Sequence, residues 1–212
     1  MPLMVVTPLR IEMRAVEAGL MGAFNVRVTR SGMGADKARA FARDLAQAPA
    51  EEFDTLAVAG FGGGVGEGVG VGDVVVASEL RAPDGSVIEL PTSDVLSEWM
   101  HHVSPKLRLH HGPIATVDRI VKGAARGELR AAGVLAVDME SAHLIAAANG
   151  RPSGVVRVIT DTPERELLRP RILWDGFRAF RTLRHATPAL LDWATDQRTK
   201  SGGTAGDDVR PG

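Results

Sequence analysis

Two carboxylates that could carry out acid–base chemistry lie late in the chain, each at the end of a short apolar run. Glu140 ends the segment Val137-Asp138-Met139-Glu140, where a predicted strand becomes a helix, and Asp161 ends the run Arg157-Val158-Ile159-Thr160-Asp161. Two rigid elements would hold these acids apart, so that one can bind a sugar while the other protonates a leaving group. On spacing alone, a helix-start carboxylate and an ordinary loop aspartate explain the pair better.

A third acidic candidate, Glu12, follows the first predicted strand in Thr7-Pro8-Leu9-Arg10-Ile11-Glu12. Taken alone, it is a carboxylate near a helix N-terminus, where the helix dipole favours negative charge. Taken with Glu140 and Asp161, it becomes a candidate for a third acid at the same edge of a sheet.

Two glycine-rich segments also follow predicted strands. The segment from Gly60 to Gly72 matches neither Gly-x-Gly-x-x-Gly in any register nor the Gly-Lys of a P-loop. We interpret Gly60-Phe61-Gly62-Gly63 as a turn in which backbone N–H groups approach a ligand, against the alternative of a flexible surface loop. The turn Ser31-Gly32-Met33-Gly34 precedes a helix and is explained equally well by anion binding or by a tight connection.

The elements that would position these residues alternate between strands and helices, which predicts a three-layer α/β/α domain with a central mixed, largely parallel sheet. The turn Pro83-Asp84-Gly85 predicts that part of the sheet is antiparallel. Near the C-terminus, a stripe of large apolar residues predicts a core-facing helix, and Thr187-Pro188 predicts the start of a short helix that ends at Trp193. The stripe consists of Trp174, Phe177, Phe180 and Leu183. The predicted strands cover 4–6, 26–29, 55–59, 73–78, 107–110, 134–137 and 155–159, and the predicted earlier helices cover 36–48, 117–132 and 139–149.

Composition narrows the class of protein. A chain of 212 residues is expected to form a single domain over residues 1–200, followed by a polar, glycine-rich, disordered tail over 201–212. Its 25 basic and 26 acidic residues give no support for a nucleic-acid partner. The absence of cysteine excludes disulfides, thiolate metal sites and a cysteine nucleophile. The histidine spacing does not indicate a metal site, and we expect no cofactor. No apolar run is long enough for a membrane span or a signal peptide, which favours a cytoplasmic enzyme.

Taken together, these segments resemble the purine nucleoside phosphorylase and nucleosidase superfamily over nearly the whole chain up to about Asp161. A finer likeness, to the hopanoid-biosynthesis branch that acts on adenosylhopane, rests on 112–118 and on Thr160-Asp161-Thr162-Pro163. The superfamily resemblance is carried by Glu12, Ser31-Gly32-Met33-Gly34, Gly60 to Gly64, Val71-Gly72-Asp73-Val74-Val75, Val137-Asp138-Met139-Glu140-Ser141-Ala142 and Val156-Arg157-Val158-Ile159-Thr160-Asp161.

The resemblance implies cleavage of the bond between ribose C1′ and a purine nitrogen, with release of adenine from a 5′-substituted adenosine. Asp161 is similar in position to the general acid that protonates N7, a role that requires a pKa raised by burial. Glu140 and the backbone of Met139 look like the clamp on the ribose hydroxyls, and Glu12 is similar to the carboxylate that activates water. The other residues that the resemblance assigns to substrate binding are Gly60, Phe61, Gly62, Arg157 and Ile120.

Several alternatives stay open. Phe61 stands where many relatives have a small or hydroxyl residue, and Ile120 stands near where some nucleosidases offer an aromatic ring; both favour an apolar pocket for a bulky substituent. Attack by phosphate instead of water would need an anion site, for which Arg10, Ser31 and Gly32 are the candidates. A nucleosidase for methylthioadenosine, adenosylhomocysteine or futalosine, a silent nucleoside-binding protein, and a flavin or nicotinamide oxidoreductase are the remaining hypotheses. The resemblance also implies a homodimer or a higher homo-oligomer.

Overall fold

A computed structural model describes residues 2–49, 51–162 and 172–203 of the chain. Strands and helices alternate along it, as the sequence predicts. The strands are β1 (Leu3–Thr7), β2 (Val26–Arg30), β3 (Thr55–Gly64), β4 (Val74–Arg81), β5 (Val87–Glu89), β6 (Leu109–Thr116), β7 (Ala136–Asp138) and β8 (Ser153–Asp161). The helices are α1 (Arg10–Gly19), α2 (Ala35–Ala46), α3 (Ser93–Val103), α4 (Ala124–Ala131), α5 (Ser141–Ala146), α6 (Ile172–Ala186) and α7 (Pro188–Gly203).

The strands form a mixed sheet, which confirms the predicted fold class. Most pairs are parallel, while β3–β7, β4–β8 and β4–β5 are antiparallel. The last of these pairs is joined through the predicted Pro83-Asp84-Gly85 turn, in which Gly85 has a φ of 85°. Strand β8 pairs with both β3 and β4, so that β3, β8, β4, β6 and β7 follow one another around a closed ring. This closure brings the ends of β3, β7 and β8 together.

Helices cover both faces of the sheet. Along β1, Leu3 and Val5 pack with residues of α1, α3, α6 and α7, whereas Met4 and Val6 pack with residues of α2 and α5. Because neighbouring residues of a strand point to opposite faces, a strand that is apolar at every position must be buried on both sides. The two cores on either side of the sheet therefore form the predicted three layers.

Three local predictions are wrong. The helix predicted over 117–132 forms only at Ala124–Ala131, because the positive φ of Gly123, 54°, breaks the backbone just before it. The final helix does not end at Trp193 but continues to Gly203. Phe177, assigned to the core, is 59% exposed, while Leu183 from the same stripe is buried. The side chain of Trp174 and residues 204–212 of the predicted tail lie outside the described residues.

Among the described residues, no helix combines the length and the apolar character that crossing a membrane requires.

Candidate active site

A cavity of about 200 Å³ lies where the segment after β1 meets the last residues of β3 and β8 and the end of β7. It is lined by three acidic side chains predicted from the sequence, Glu12, Glu140 and Asp161, together with Asp138. Most other lining groups are apolar. The four carboxylates are buried, so burial and their few charged neighbours govern their chemistry. The remaining lining residues are Pro8, Leu9, Met33, Phe61, Gly62, Gly63, Val117, Ile120, Val121, Arg126, Val137, Met139 and Thr160.

Glu12 lies in the first turn of α1 and is only 1% exposed. One carboxylate oxygen accepts the N–H of Leu9 at 2.5 Å, and the other accepts the N–H of Phe61 at 2.6 Å. Burial raises the pKa of Glu12 to about 7, although the positive charge of Arg157 and the two N–H groups oppose that rise. A carboxylate with this pKa can accept or release a proton near neutral pH, which is the requirement for a general base.

Glu140 immediately precedes α5, and its side chain reaches back towards the start of α2. Oε1 accepts the N–H of Gly34 at 2.7 Å, and Oε2 accepts the N–H of Met139 at 3.3 Å. Gly34 has a φ of 95°, a left-handed conformation that glycine adopts without strain. The predicted turn Ser31-Gly32-Met33-Gly34 is therefore explained in part by this contact, since it presents an N–H group to the carboxylate.

Asp138 and Arg157 form a buried ion pair behind these acids. Asp138 accepts the Arg157 Nε–H at 2.8 Å, the Thr116 hydroxyl at 2.9 Å and the Ser141 N–H at 3.0 Å. Burial alone would raise the pKa of Asp138, but the guanidinium and these hydrogen bonds outweigh it and hold the pKa below its usual value. A second guanidinium nitrogen of Arg157 lies 3.8 Å from Glu140. Arg157 is 0% exposed and is not among the lining residues of the cavity, and its observed ion pairs are with the acids; its assignment to substrate binding stays a prediction.

The glycines at the end of β3 lie in a strand and not in the predicted turn, because β3 continues to Gly64 and pairs with β8 over this whole stretch. A Cβ on Gly60 would lie 2.7 Å from both Glu12 Oε1 and an Arg157 nitrogen. Gly60 does not line the cavity; it allows the acid and the guanidinium to approach the backbone. Gly62 does line the cavity, and a Cβ there would lie 3.1 Å from the Val137 carbonyl oxygen.

Asp161 reaches the cavity through an irregularity in the strand pairing. Gly62 pairs with Ile159 but Gly63 pairs with Asp161, so Thr160 is an extra residue in β8. Such a bulge re-aims the side chain that follows it. Asp161 is buried as expected, but it also forms an ion pair with Arg126 of α4, which the sequence analysis did not foresee.

The apolar lining groups include Phe61 and Ile120, the two residues for which the resemblance predicts a departure from the family pattern. Phe61 lies half-buried against the cavity, and its N–H is the group that binds Glu12. Ile120 is 65% exposed and Met33 is 61% exposed, so both present apolar surface at the cavity rim. The common property of these three side chains is that they contribute apolar surface to the cavity lining.

The residues predicted to bind an anion do not line this cavity. Arg10 is exposed at the start of α1, and the Ser31 hydroxyl donates to the Gly32 carbonyl oxygen at 3.1 Å. Gly32, with a φ of 88°, lies against the side chain of Lys37. Within the described residues, the turn between β2 and α2 contributes Met33 and the Gly34 N–H to the site, and anion binding at Arg10, Ser31 and Gly32 stays a prediction.

Sequence reasoning missed two residues of this site, Asp138 and Arg126. Asp138 belongs to the segment Val137-Asp138-Met139-Glu140. Its position directly after the predicted apolar strand 134–137 indicates that it is buried. Arg126 lies among alanine, glycine and charged residues that are typical of a solvent-exposed helix, and nothing in that pattern distinguishes it from Arg130.

The fold and the site together define an α/β protein whose cavity lies at the strand ends of a closed mixed sheet. The cavity contains four buried carboxylates in a lining that is otherwise mostly apolar. A family profile described as the Phosphorylase superfamily matches residues 10–179, which includes every acidic residue of the cavity. The chain therefore belongs to the Phosphorylase superfamily. A comparison with curated protein sequences gives no match.

Several solved structures share the fold. The 5′-methylthioadenosine/S-adenosyl homocysteine nucleosidase of Helicobacter pylori superposes with a TM-score of 0.72 at 18% identity, over 92% of this chain and 98% of that one. Futalosine hydrolase of the same organism gives 0.72 at 16% identity, over 92% and 97%. The nucleosidase of S. pneumoniae gives 0.70 at 24% identity, over 90% and 100%. At these identities the likeness establishes the fold, and the site must carry the argument for function.

Proposed function

We propose that this protein cleaves the N-glycosidic bond of a purine nucleoside by attack of water and releases adenine. The observation that carries the proposal is the arrangement of Glu12, Glu140 and Asp161 around one cavity, with Glu12 buried and its pKa raised to about 7. The superfamily membership and the nucleosidase names of the structural relatives support the same reaction.

In this proposal each acid has one task. Glu12 removes a proton from water while the water oxygen bonds to ribose C1′. Glu140 binds the ribose hydroxyls, and its negative charge stabilises the positive charge that develops on the sugar as the C1′–N9 bond breaks. The electron pair of that bond goes to the purine, and Asp161, in its protonated form, donates a proton to N7. Glu12 then releases its proton to solvent and Asp161 takes one up, so that the nucleoside and water give the 5′-substituted ribose and free adenine.

The apolar lining favours a nucleoside with an apolar 5′ substituent. Phe61, Met33 and Ile120 provide carbon surface beside the acids, and the last two are largely exposed to solvent. Burying such surface against a hydrophobic substituent gains about 25 cal/mol per Å². We propose a 5′-substituted adenosine such as adenosylhopane, with methylthioadenosine, adenosylhomocysteine and futalosine as the alternative substrates.

Water is favoured over phosphate as the nucleophile. Arg10, Ser31 and Gly32, the candidates for an anion site, do not line the described cavity, while Glu12 is available there as a base. Phosphorolysis predicts no turnover without inorganic phosphate, and hydrolysis predicts turnover that is independent of it. We also retain two predictions of the sequence analysis, a cytoplasmic location and a homo-oligomeric assembly.

The test is to measure adenine release from adenosine, methylthioadenosine, adenosylhomocysteine, futalosine and a hopane-linked adenosine, with and without phosphate. Glu12→Gln and Asp161→Asn should each lower release at least about 100-fold. Glu17→Gln, an exposed position of the same helix α1, is the matched control and should retain full activity. Undiminished turnover in Glu12→Gln would contradict the assignment of the base. Tight binding of adenosine without release of base would identify a binding protein instead.

A further inference from the structure

The ion pair between Arg126 and Asp161 conflicts with the task that the proposed function gives to Asp161. Both residues are 5% exposed, and a guanidinium N–H of Arg126 donates to Asp161 Oδ2. A guanidinium stays charged at any pH at which the protein would act, so its partner in this pair is the charged carboxylate. A general acid must carry a proton instead. The structure therefore shows Asp161 in a state from which it cannot protonate a purine.

This ion pair is also what holds the start of α4 to the rest of the protein. Within α4, which the structure describes in full, Arg126 is the one buried residue, and its immediate neighbours are exposed. A charged residue is seldom buried unless it is paired. Arg126 and Asp161 both line the cavity, so the pair lies beside the space that a nucleoside would fill. The far end of α4 is attached separately, since Leu129 packs against a buried cluster and the Arg130 Nε–H donates to the Val65 carbonyl oxygen at 2.7 Å.

The chain before Arg126 can move without disturbing the core. Gly123, directly before α4, has a φ of 54°, a left-handed conformation that glycine adopts without strain, and a Cβ on it would meet no atom within 4 Å. Residues 118–120 and 122–125 are exposed. Moving Arg126 out into solvent therefore displaces only this largely exposed segment and the first turn of α4. In water the guanidinium is hydrated, so that it no longer needs a carboxylate partner.

We propose that the ion pair between Arg126 and Asp161 is an autoinhibitory latch, which a nucleoside must open by displacing Arg126 from Asp161. This inference rests on the proposed function and adds a means of regulation to the same site. When the latch opens, Arg126 moves into water and the Asp161 carboxylate takes up a proton from solvent. Neither group is then left as an unpaired buried charge, and Asp161 holds the proton that it later donates.

A latch of this kind acts on binding and not on the chemical step. Because part of the interaction energy of the nucleoside is used to break the ion pair, its apparent affinity is reduced by the fraction of protein that is unlatched. Once the pair is broken, the reacting groups are the same with or without Arg126, so kcat does not depend on it. A residue that stabilised the departing purine would behave in the opposite way, since its removal would lower kcat.

Steady-state kinetics on the nucleoside that is turned over fastest would separate these two roles. Arg126→Met retains the apolar stem of the side chain and removes its charge. We expect this variant to lower KM about 10-fold and to change kcat less than about 2-fold. Arg130→Met is the matched control, since Arg130 lies one turn further along α4 and is not among the lining residues of the cavity, so its KM should equal that of wild-type protein. A lower kcat at unchanged KM in Arg126→Met would overturn the latch.

Hydrogen exchange of backbone amides would detect the opening in wild-type protein, without any variant. Adenine is the probe because it is not consumed. Saturating adenine should speed exchange in a peptide that covers residues 118–128 at least about 3-fold, because the contact that holds the start of α4 is broken. Exchange in α3 should not change. Slower or unchanged exchange over 118–128 would mean that the ion pair stays closed around the ligand, and it would overturn the latch.

The outcomes distinguish this inference from the proposed function. If wild-type protein releases adenine but KM is not lower in a folded Arg126→Met, the latch is wrong and hydrolysis stands. If wild-type protein releases no base from any nucleoside but adenine speeds exchange over 118–128, hydrolysis is wrong and the latch stands as the gate of a binding site. Thermal melting shows whether Arg126→Met is folded, and if it is not, the exchange measurement on wild-type protein decides. Failure of both proteins to bind adenine would also overturn the latch, because the variant has no ion pair to displace.

Discussion

Replacing Glu12 by glutamine should change how the stability of the protein depends on pH. The pKa of Glu12 is raised from 4.5 to about 7 in the folded protein. Between those values the folded protein keeps a proton that the unfolded chain has lost, so the free energy of unfolding falls as the pH rises through this window. Glutamine does not titrate, and the variant lacks this contribution to the slope.

The magnitude follows from the size of the shift. One pKa unit corresponds to about 1.36 kcal/mol, so the full effect is roughly 3 kcal/mol, and roughly 2.5 kcal/mol of it develops between pH 5 and pH 8. Glutamine has one acceptor oxygen where the carboxylate uses two, so either the Leu9 or the Phe61 N–H loses its partner at a cost of about 1–3 kcal/mol at every pH. The prediction therefore concerns the change with pH and not the absolute stability.

Urea denaturation followed by circular dichroism at pH 5, 6, 7 and 8 would measure this change. Relative to wild-type protein, Glu12→Gln should gain roughly 2 to 3 kcal/mol from pH 5 to pH 8, and Glu17→Gln should gain nothing. Stability curves that run parallel for wild-type protein and Glu12→Gln would refute a buried, proton-binding Glu12. The same ionisation should appear in the rate of adenine release, which should rise with pH through about 7 as Glu12 becomes able to accept a proton.

Three further substitutions test the surroundings of the site. Arg157→Met should lower the free energy of unfolding by about 3–5 kcal/mol in urea titrations, because it leaves buried carboxylates without their cation; a loss below 1 kcal/mol would contradict this. Gly60→Ala should lower adenine release at least about 10-fold, because the new Cβ would lie 2.7 Å from a Glu12 oxygen. Gly127→Ala is the control: Gly127 lies in α4 with open space around it, so this variant should retain activity and stability. Ile120→Asp should raise KM for an apolar 5′-substituted adenosine about 10-fold and leave KM for adenosine unchanged. An equal rise in KM for the two nucleosides would show that Ile120 does not contact the 5′ substituent.

The strands and the acidic residues were accessible to sequence reasoning because local pattern determines them. Leu3–Val6 is apolar at every position and Val155–Ile159 is apolar except at Arg157, a pattern that a short strand covered on both faces accommodates. Glu12, Glu140 and Asp161 lie at the ends of helices or strands. Local sequence indicates where a helix or strand ends, but it does not indicate which of these ends lie close together in the fold.

The parts that sequence reasoning got wrong depend on contacts between distant segments. Glycine has a poor strand propensity, yet β3 extends to Gly64 because β8 and β7 pair with it there and leave no room for side chains. The ring of strands closes because β8 has two partners, and local sequence carries no information about a second partner. Arg126 is buried for the same kind of reason, since the bulge at Thr160 aims Asp161 towards a helix that by itself has the composition of a surface element.

One buried cation links the groups proposed to act on water and on the sugar. Arg157 is 2.8 Å from Asp138 and 3.8 Å from Glu140, and it acts on Glu12 across the space that Gly60 leaves free. Burial favours the neutral form of Glu12 and the guanidinium favours its charged form, and their balance gives a pKa of about 7. A stronger contact with the cation would make Glu12 too weak a base to take a proton from water, and a weaker one would keep it protonated at neutral pH. The ion pair with Asp138, at 2.8 Å, fixes the position of the guanidinium, and that position together with the burial of Glu12 sets the strength of the base.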